Sequence, residues 1–130
     1  MIRKYITVVM FILYVIYTWL IDRLLIVYQE FPKLGEFINA CIISPLWEEA
    51  VYRYAPIEIC KIVNKRLLVP VIIAVSFLFG FGHDGTIENI YYQGVFGLML
   101  SYIYLNVKHP YSTVFFLHFL WNFLVTILKY

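Results

Sequence analysis

Apolar stretches of membrane length, separated by short polar breaks, occupy almost the whole chain and limit what it can fold into. Tyr5 to Ile21 is apolar, meets Asp22-Arg23, and resumes from Leu24 to Tyr28. Gln29 to Glu36, with Pro32 and Gly35, breaks the pattern. Phe37 to Cys60 follows, interrupted at Ser44-Pro45, and Lys61 to Arg66 reads as a short basic loop. Leu67 to Phe81 runs into Gly82-His83-Asp84-Gly85, where a helix should stop. Ile87 to Val107 and Tyr111 to Leu128 flank a last break at Lys108-His109-Pro110. A helix needs about 20 predominantly apolar residues to cross the hydrocarbon core, and backbone in lipid must satisfy its own hydrogen bonds. The chain therefore reads as all-α, a polytopic membrane bundle of about five transmembrane helices. Residues 1–36 form an N-terminal anchor helix and loop, and residues 37–130 form the core.

Composition excludes the main alternatives. Only 14% of the 130 residues are charged, about half the usual share of a soluble domain. Ten Lys+Arg against eight Asp+Glu leave a formal +2 with no basic run, so nucleic acid is not an expected partner. The first apolar run is bulky throughout and the first alanine is Ala40. With no small-residue cleavage site, that run reads as a retained anchor and not as a signal peptide. With a cytoplasmic N-terminus, Arg3, Lys4, Lys61, Lys65, Arg66 and Lys108 lie inside, and only Lys33 and Lys129 outside. The positive-inside rule favours that orientation. Cys41 and Cys60 stand 19 residues apart in one apolar segment, roughly 28 Å along a helix. That is beyond disulfide reach, so both read as apolar filler.

Glu48, Glu49 and Arg53 lie in the middle of the second segment. A charged group there costs about 2.5 to 3.5 kcal/mol even on lenient insertion scales, so something must compensate. Glu49 and Arg53 are i, i+4 and can pair on one face. Glu48 points about 100° away and stays free for another neighbour. His83 ends the third segment, and the fifth carries His118 with Asn122 one turn later. A carboxylate, two imidazoles and a carboxamide on three helices most economically share one watered cavity. They hold what amide hydrolysis needs: a group to take a proton from water and donors for a developing oxyanion. His109, beside Pro110, reads as solvated, and Phe79, Trp47 and Trp121 as packing or interface aromatics. Gly94, Gly97 and Ser101 form a small-residue stripe for close helix approach. Two other classes compete with the peptidase. One is a haem or zinc protein ligated through His83 and His118, with Glu48 for zinc, although no H-E-x-x-H and no nearby cysteine supports it. The other is a non-catalytic subunit that keeps the cluster for packing.

Taken in order, Glu48-Glu49-Ala50-Val51-Tyr52-Arg53, Phe79-Gly80-Phe81-Gly82-His83 and His118-Phe119-Leu120-Trp121-Asn122 read as E-E-x-x-x-R, F-x-x-x-H and H-x-x-x-N. Three such motifs on successive motif-bearing apolar helices resemble the CAAX protease and bacteriocin-processing enzyme family, also called the Abi family, over roughly Phe37 to Tyr130. The resemblance implies a glutamate-dependent intramembrane endopeptidase with no obligatory metal or cofactor. It implies that Glu48 and His83 activate water, that His118 and Asn122 stabilise the oxyanion, and that Glu49, Arg53 and Phe79 support the site. The implied partner is a peptide or protein at the bilayer, of prenylated, bacteriocin-like or signal-peptide class. The family includes immunity subunits, and assembly into an oligomer or larger complex stays open. Two departures stand out. Tyr54 follows the arginine where the family usually has glycine, and only one helix precedes the core, as in a minimal prokaryotic or viral member. With the N-terminus inside, the third helix puts His83 near its outer end while Glu48 and His118 lie nearer mid-bilayer. Either that helix starts deep and stops short, or the cavity opens to the outer half.

Overall fold

A computed structural model describes residues 12–23, 25–26 and 32–129, and every regular element among them is helical. The chain divides into two compact units, Met1–Asn39 and Ala40–Tyr130. In the first, residues 12–23 (α1) are helical, as are 25–26, within the stretch expected to be an anchor. Arg3 and Lys4, two of the charges behind the expected orientation, lie outside the described residues. A second helix, α2 (Pro32–Ile38), begins inside the expected polar break. Proline is well placed at a helix start, where its missing N–H would have had no partner.

The second unit carries the site. A π-helical turn at Asn39–Ile43 leads into α3 (Ser44–Glu49), and a second π turn at Ala50–Tyr54 leads into α4 (Ala55–Val63). Proline explains both turns. Pro45 and Pro56 lack the N–H that would close the preceding turn, and each stands two residues after the end of a π turn. Ser44-Pro45 therefore does not break the helix as expected but widens it by one residue, a known way to absorb such a defect. At the second turn the Ala55 N–H reaches back five residues to the Ala50 carbonyl.

Asn64 ends α4 in extended conformation, and its side chain accepts the Arg66 N–H at 3.0 Å. After a 3-10 turn at Lys65–Leu67, α5 spans Leu68–Asp84 and stops at Gly85, whose φ of 66° is left-handed, as the glycine predicts. The next segment is α6 (Ile87–Asn89), a π turn at Ile90–Gly94 and α7 (Val95–Asn106), and α8 closes the chain over Pro110–Lys129. Gly80 and Gly94 let α5 and the third π turn meet backbone to backbone. A Cβ on Gly80 would lie 2.8 Å from the Gly94 nitrogen. Ile57, Leu100, Tyr104 and Val114 form the buried apolar core between α4, α7 and α8.

Among the described residues two helices are long and apolar enough to cross a membrane, Lys65–His83 and Pro110–Leu128, each with few residues buried. Of the five membrane-length helices expected, these two meet that test among the described residues. The fourth segment is helical throughout Ile87–Asn106, with the π turn at Ile90–Gly94 between α6 and α7. The second segment likewise stays helical through its two π turns to Val63, with Glu48, Glu49 and Arg53 in its middle. Cys41 and Cys60 are both buried free thiols.

Candidate active site

Glu48 and Glu49 close α3, and consecutive helical residues diverge by about 100°. Glu49 is fully buried. Its Oε1 accepts from Arg53 Nη1 at 3.2 Å and from His118 Nδ1 at 2.7 Å. A carboxylate only accepts, so the hydrogen on that imidazole edge is assigned to Nδ1. Arg53 is also fully buried, and its guanidinium lies 4.0 Å from the centroid of the Phe79 ring, within cation–π range. Gly97 makes the space for it. A Cβ there would stand 2.7 Å from Arg53 Nη2 and 3.2 Å from Phe79 Cδ1. Phe79 joins the parts, meeting the rings of Tyr52, His83 and His118 edge-on at 5.3, 4.7 and 5.7 Å between centroids.

Glu48 is held differently. Ser44 Oγ donates to its Oε1 at 2.6 Å. Its Oε2 has no hydrogen-bond partner and faces both imidazoles, 3.6 Å from His118 Nε2 and 3.9 Å from His83 Nε2. Both separations exceed a hydrogen bond. His83 Nδ1 bonds the Phe79 carbonyl at 2.8 Å. A carbonyl only accepts, so Nδ1 carries the hydrogen and Nε2 of a neutral ring keeps its lone pair towards Glu48. A cavity of about 180 Å³ opens beside this pair, lined by Trp47, Glu48, Val51, Tyr52, Phe79, Gly82 and His83.

The structure thus gathers Glu48, Glu49, Arg53, Phe79, His83 and His118 from α3, its following π turn, α5 and α8. The last turn of α5 brings His83 to the carboxylate despite its place at the helix end. Asn122, one turn beyond His118, donates from Nδ2 to the Ala40 carbonyl at 2.8 Å. In the π turn that carbonyl stands five residues before Pro45, whose missing N–H leaves it to a side chain. Neither His118 nor Asn122 lines the cavity. Among the described residues no three His, Cys, Asp or Glu side chains form a group able to hold a metal ion.

Sequence reasoning missed several members. Ser44 and Tyr52 stand four residues before and after Glu48, the spacing that shares a helix face, and this signal was available. Phe96, which meets the His118 ring at 5.6 Å, had no such local signal, and Gly97 was expected as part of the small-residue stripe but not as the space under Arg53. Neither a curated protein nor a solved structure matches this chain. The family model described as type II CAAX prenyl endopeptidase Rce1-like matches residues 30–124 and takes in all three motifs. That family consists of membrane-embedded peptidases acting on a protein or peptide substrate. With its three motifs folded onto one polar centre and most of its length matched, the chain belongs to the Rce1-like type II CAAX prenyl endopeptidase family.

Proposed function

We propose that this chain is a glutamate-dependent intramembrane endopeptidase that hydrolyses a peptide bond in a prenylated, bacteriocin-like or signal-peptide substrate at the bilayer. The supporting observation is Glu48. It is a carboxylate in an apolar chain, with one oxygen unpartnered, beside a cavity and two imidazoles. Pairing would lower the cost of that charge, and the fold leaves it half-paired. The cavity holds several times the about 30 Å³ share of one liquid water.

An ionised Glu48 and a neutral His83 both present acceptors, so a water between them donates both hydrogens and turns its lone pairs to the cavity. As its oxygen bonds the substrate carbonyl carbon, its proton passes to Glu48 and the π pair moves onto the carbonyl oxygen. His118, acting as an imidazolium with its Nδ1–H on Glu49, donates its second N–H to that oxygen from Nε2. Asn122 donates with the amide hydrogen that Ala40 does not take. Collapse breaks the C–N bond, and the proton on Glu48 goes to the leaving amine. No metal ion enters the scheme. We further propose that the chain crosses the bilayer about five times with its N-terminus cytoplasmic, the shorter helices of the second unit being shielded by their neighbours.

The test is Glu48→Gln in proteoliposomes, assayed on an internally quenched farnesylated peptide ending in a CAAX sequence and on an unprenylated apolar peptide. The substitution keeps shape and removes the base. Wild type should cleave at least one probe, and the variant should lose at least about 10³ in turnover with unchanged abundance. Wild type that cleaves neither, or a Glu48→Gln protein that cleaves normally, overturns the endopeptidase reading.

A further inference from the structure

The cavity beside Glu48 contains one hydroxyl that the scheme above does not use. Tyr52 lines the same wall space as Glu48 and His83. It stands four residues after Glu48, so the two share a helix face. Its ring is fixed edge-on against Phe79 at 5.3 Å and 66°. Phe79 is itself 1% exposed and is held by the His83 and His118 rings and by the Arg53 guanidinium. The hydroxyl end reaches the opposite wall, where a Cβ built on Gly82 would stand 3.6 Å from the Tyr52 oxygen.

The cavity's other polar groups are ill suited to receive negative charge. Glu48 is an acceptor, and the assigned hydrogen of His83 is spent on the Phe79 carbonyl. Trp47 has an indole N–H, but the residue is 71% exposed and belongs to the rim. The hydrogen bonds that tie the centre together, Ser44 to Glu48, Arg53 and His118 to Glu49, His83 to Phe79 and Asn122 to Ala40, leave the Tyr52 hydroxyl unused. A phenol O–H on a rigid ring in an apolar wall is a preorganised donor of the kind that stabilises an oxyanion.

We propose that Tyr52 is a further catalytic residue, whose hydroxyl donates a hydrogen bond to the substrate carbonyl oxygen as that oxygen becomes the oxyanion. It keeps its proton throughout and complements the donors on α8, which do not line the cavity. The proposal rests on the endopeptidase reading, since it needs a carbonyl attacked from the Glu48 side.

Tyr52→Phe removes the oxygen and keeps the ring that packs on Phe79. With the farnesylated quenched peptide in proteoliposomes, kcat should fall about 10²-fold while KM stays within about twofold, because the bond forms chiefly in the transition state. Tyr52→Leu, which also loses the ring, should lower thermal stability as well, whereas Tyr52→Phe should melt as wild type. A Tyr52→Phe protein with kcat within about threefold of wild type overturns the proposal if Glu48→Gln is inactive in the same assay, and leaves the reading of Glu48 intact. A Tyr52→Phe loss that appears wholly as lower melting temperature or higher KM also overturns it. Activity retained by Glu48→Gln instead removes the endopeptidase reading, and this proposal with it.

Discussion

Glu49 sits fully buried, its Oε1 shared between a guanidinium and an imidazole and its Oε2 shut away from the cavity, whereas Glu48, one residue earlier, has a serine hydroxyl on one oxygen and turns the other, unpartnered, towards two imidazoles beside the cavity. The same helical turn thus presents a closed half and an open half. In the closed half every neighbour neutralises charge: Arg53 pairs, His118 donates, and Phe79 lies against the guanidinium. In the open half the neighbours converge on a cavity without closing on the carboxylate. Burying a carboxylate costs several kcal/mol unless it is paired. Both halves keep unmet hydrogen-bonding capacity, Glu49 Oε2 with Arg53 Nε and Nη2 in the closed one and Glu48 Oε2 in the open one, but only the open half borders the cavity where a substrate and a water can use it, so the closed half is framework. Substitutions in the first should show in stability and those in the second in turnover.

The largest effect expected in the closed half comes from Arg53→Ala. It leaves Glu49 as a buried carboxylate with only His118 for company, and breaking a buried pair on one side costs about 3 to 5 kcal/mol. The variant should accumulate poorly and melt early in detergent. Glu49→Gln combined with Arg53→Met removes both charges and should recover much of the abundance. A single variant as heat-stable as wild type would show that the pair is not what holds this half.

How far this division could be read beforehand differs from residue to residue. The Glu49–Arg53 pair follows from i, i+4 spacing alone, as does the freedom of Glu48 to face elsewhere. The meeting of His83 and His118 over Glu48 does not, because no local rule sets the rotation of α5 and α8 against α3. The cost of unpartnered polar groups in a bilayer and the motif resemblance pointed there, and neither gives the geometry. Pro45 was legible as a defect, but not its remedy, a π turn whose Ala40 carbonyl is met by Asn122, 82 residues away. The small-residue stripe foretold close approach, yet its two glycines serve different ends. Gly94 backs the Ser76 carbonyl of α5, with a would-be Cβ contact of 3.2 Å, whereas Gly97 backs the guanidinium. Spacing shows that space is needed and leaves open what fills it.

Gly97 gives the next, smaller effect. A methyl there would stand 2.7 Å from Arg53 Nη2, so Gly97→Ala must push the guanidinium away from Glu49 or move α7, at a cost of about 1 to 3 kcal/mol for overpacking. Arg53→Lys has no Nη2 to meet the methyl. In that background Gly97→Ala should cost less than half as much, with the contact to Phe79 Cδ1 keeping the rescue partial. Thermal melts of the two single variants and the double variant measure the coupling. Additive losses would mean that Gly97 serves helix packing alone and has no bearing on the closed half.

Ser44→Ala should have the smallest effect, and it probes the open half where it is most lightly held. The Ser44 hydroxyl fixes Glu48 Oε1 at 2.6 Å, which turns Oε2 towards the imidazoles. Without it the carboxylate rotates more freely and the attacking geometry is populated less often. The loss in kcat should be no more than about tenfold, equivalent to about 1.4 kcal/mol. Stability should hardly move, and two effects set that balance. The lost hydrogen bond is worth little because Glu48 keeps a 20% exposed side chain that water or the cavity can satisfy. Alanine is also a better helix former than serine by a few tenths of a kcal/mol, which offsets part of even that loss. Turnover of the farnesylated peptide and a melt in the same detergent separate the outcomes. A drop in stability as large as that of Arg53→Ala would make Glu48 a second structural carboxylate, and the contrast between the two neighbouring glutamates would collapse.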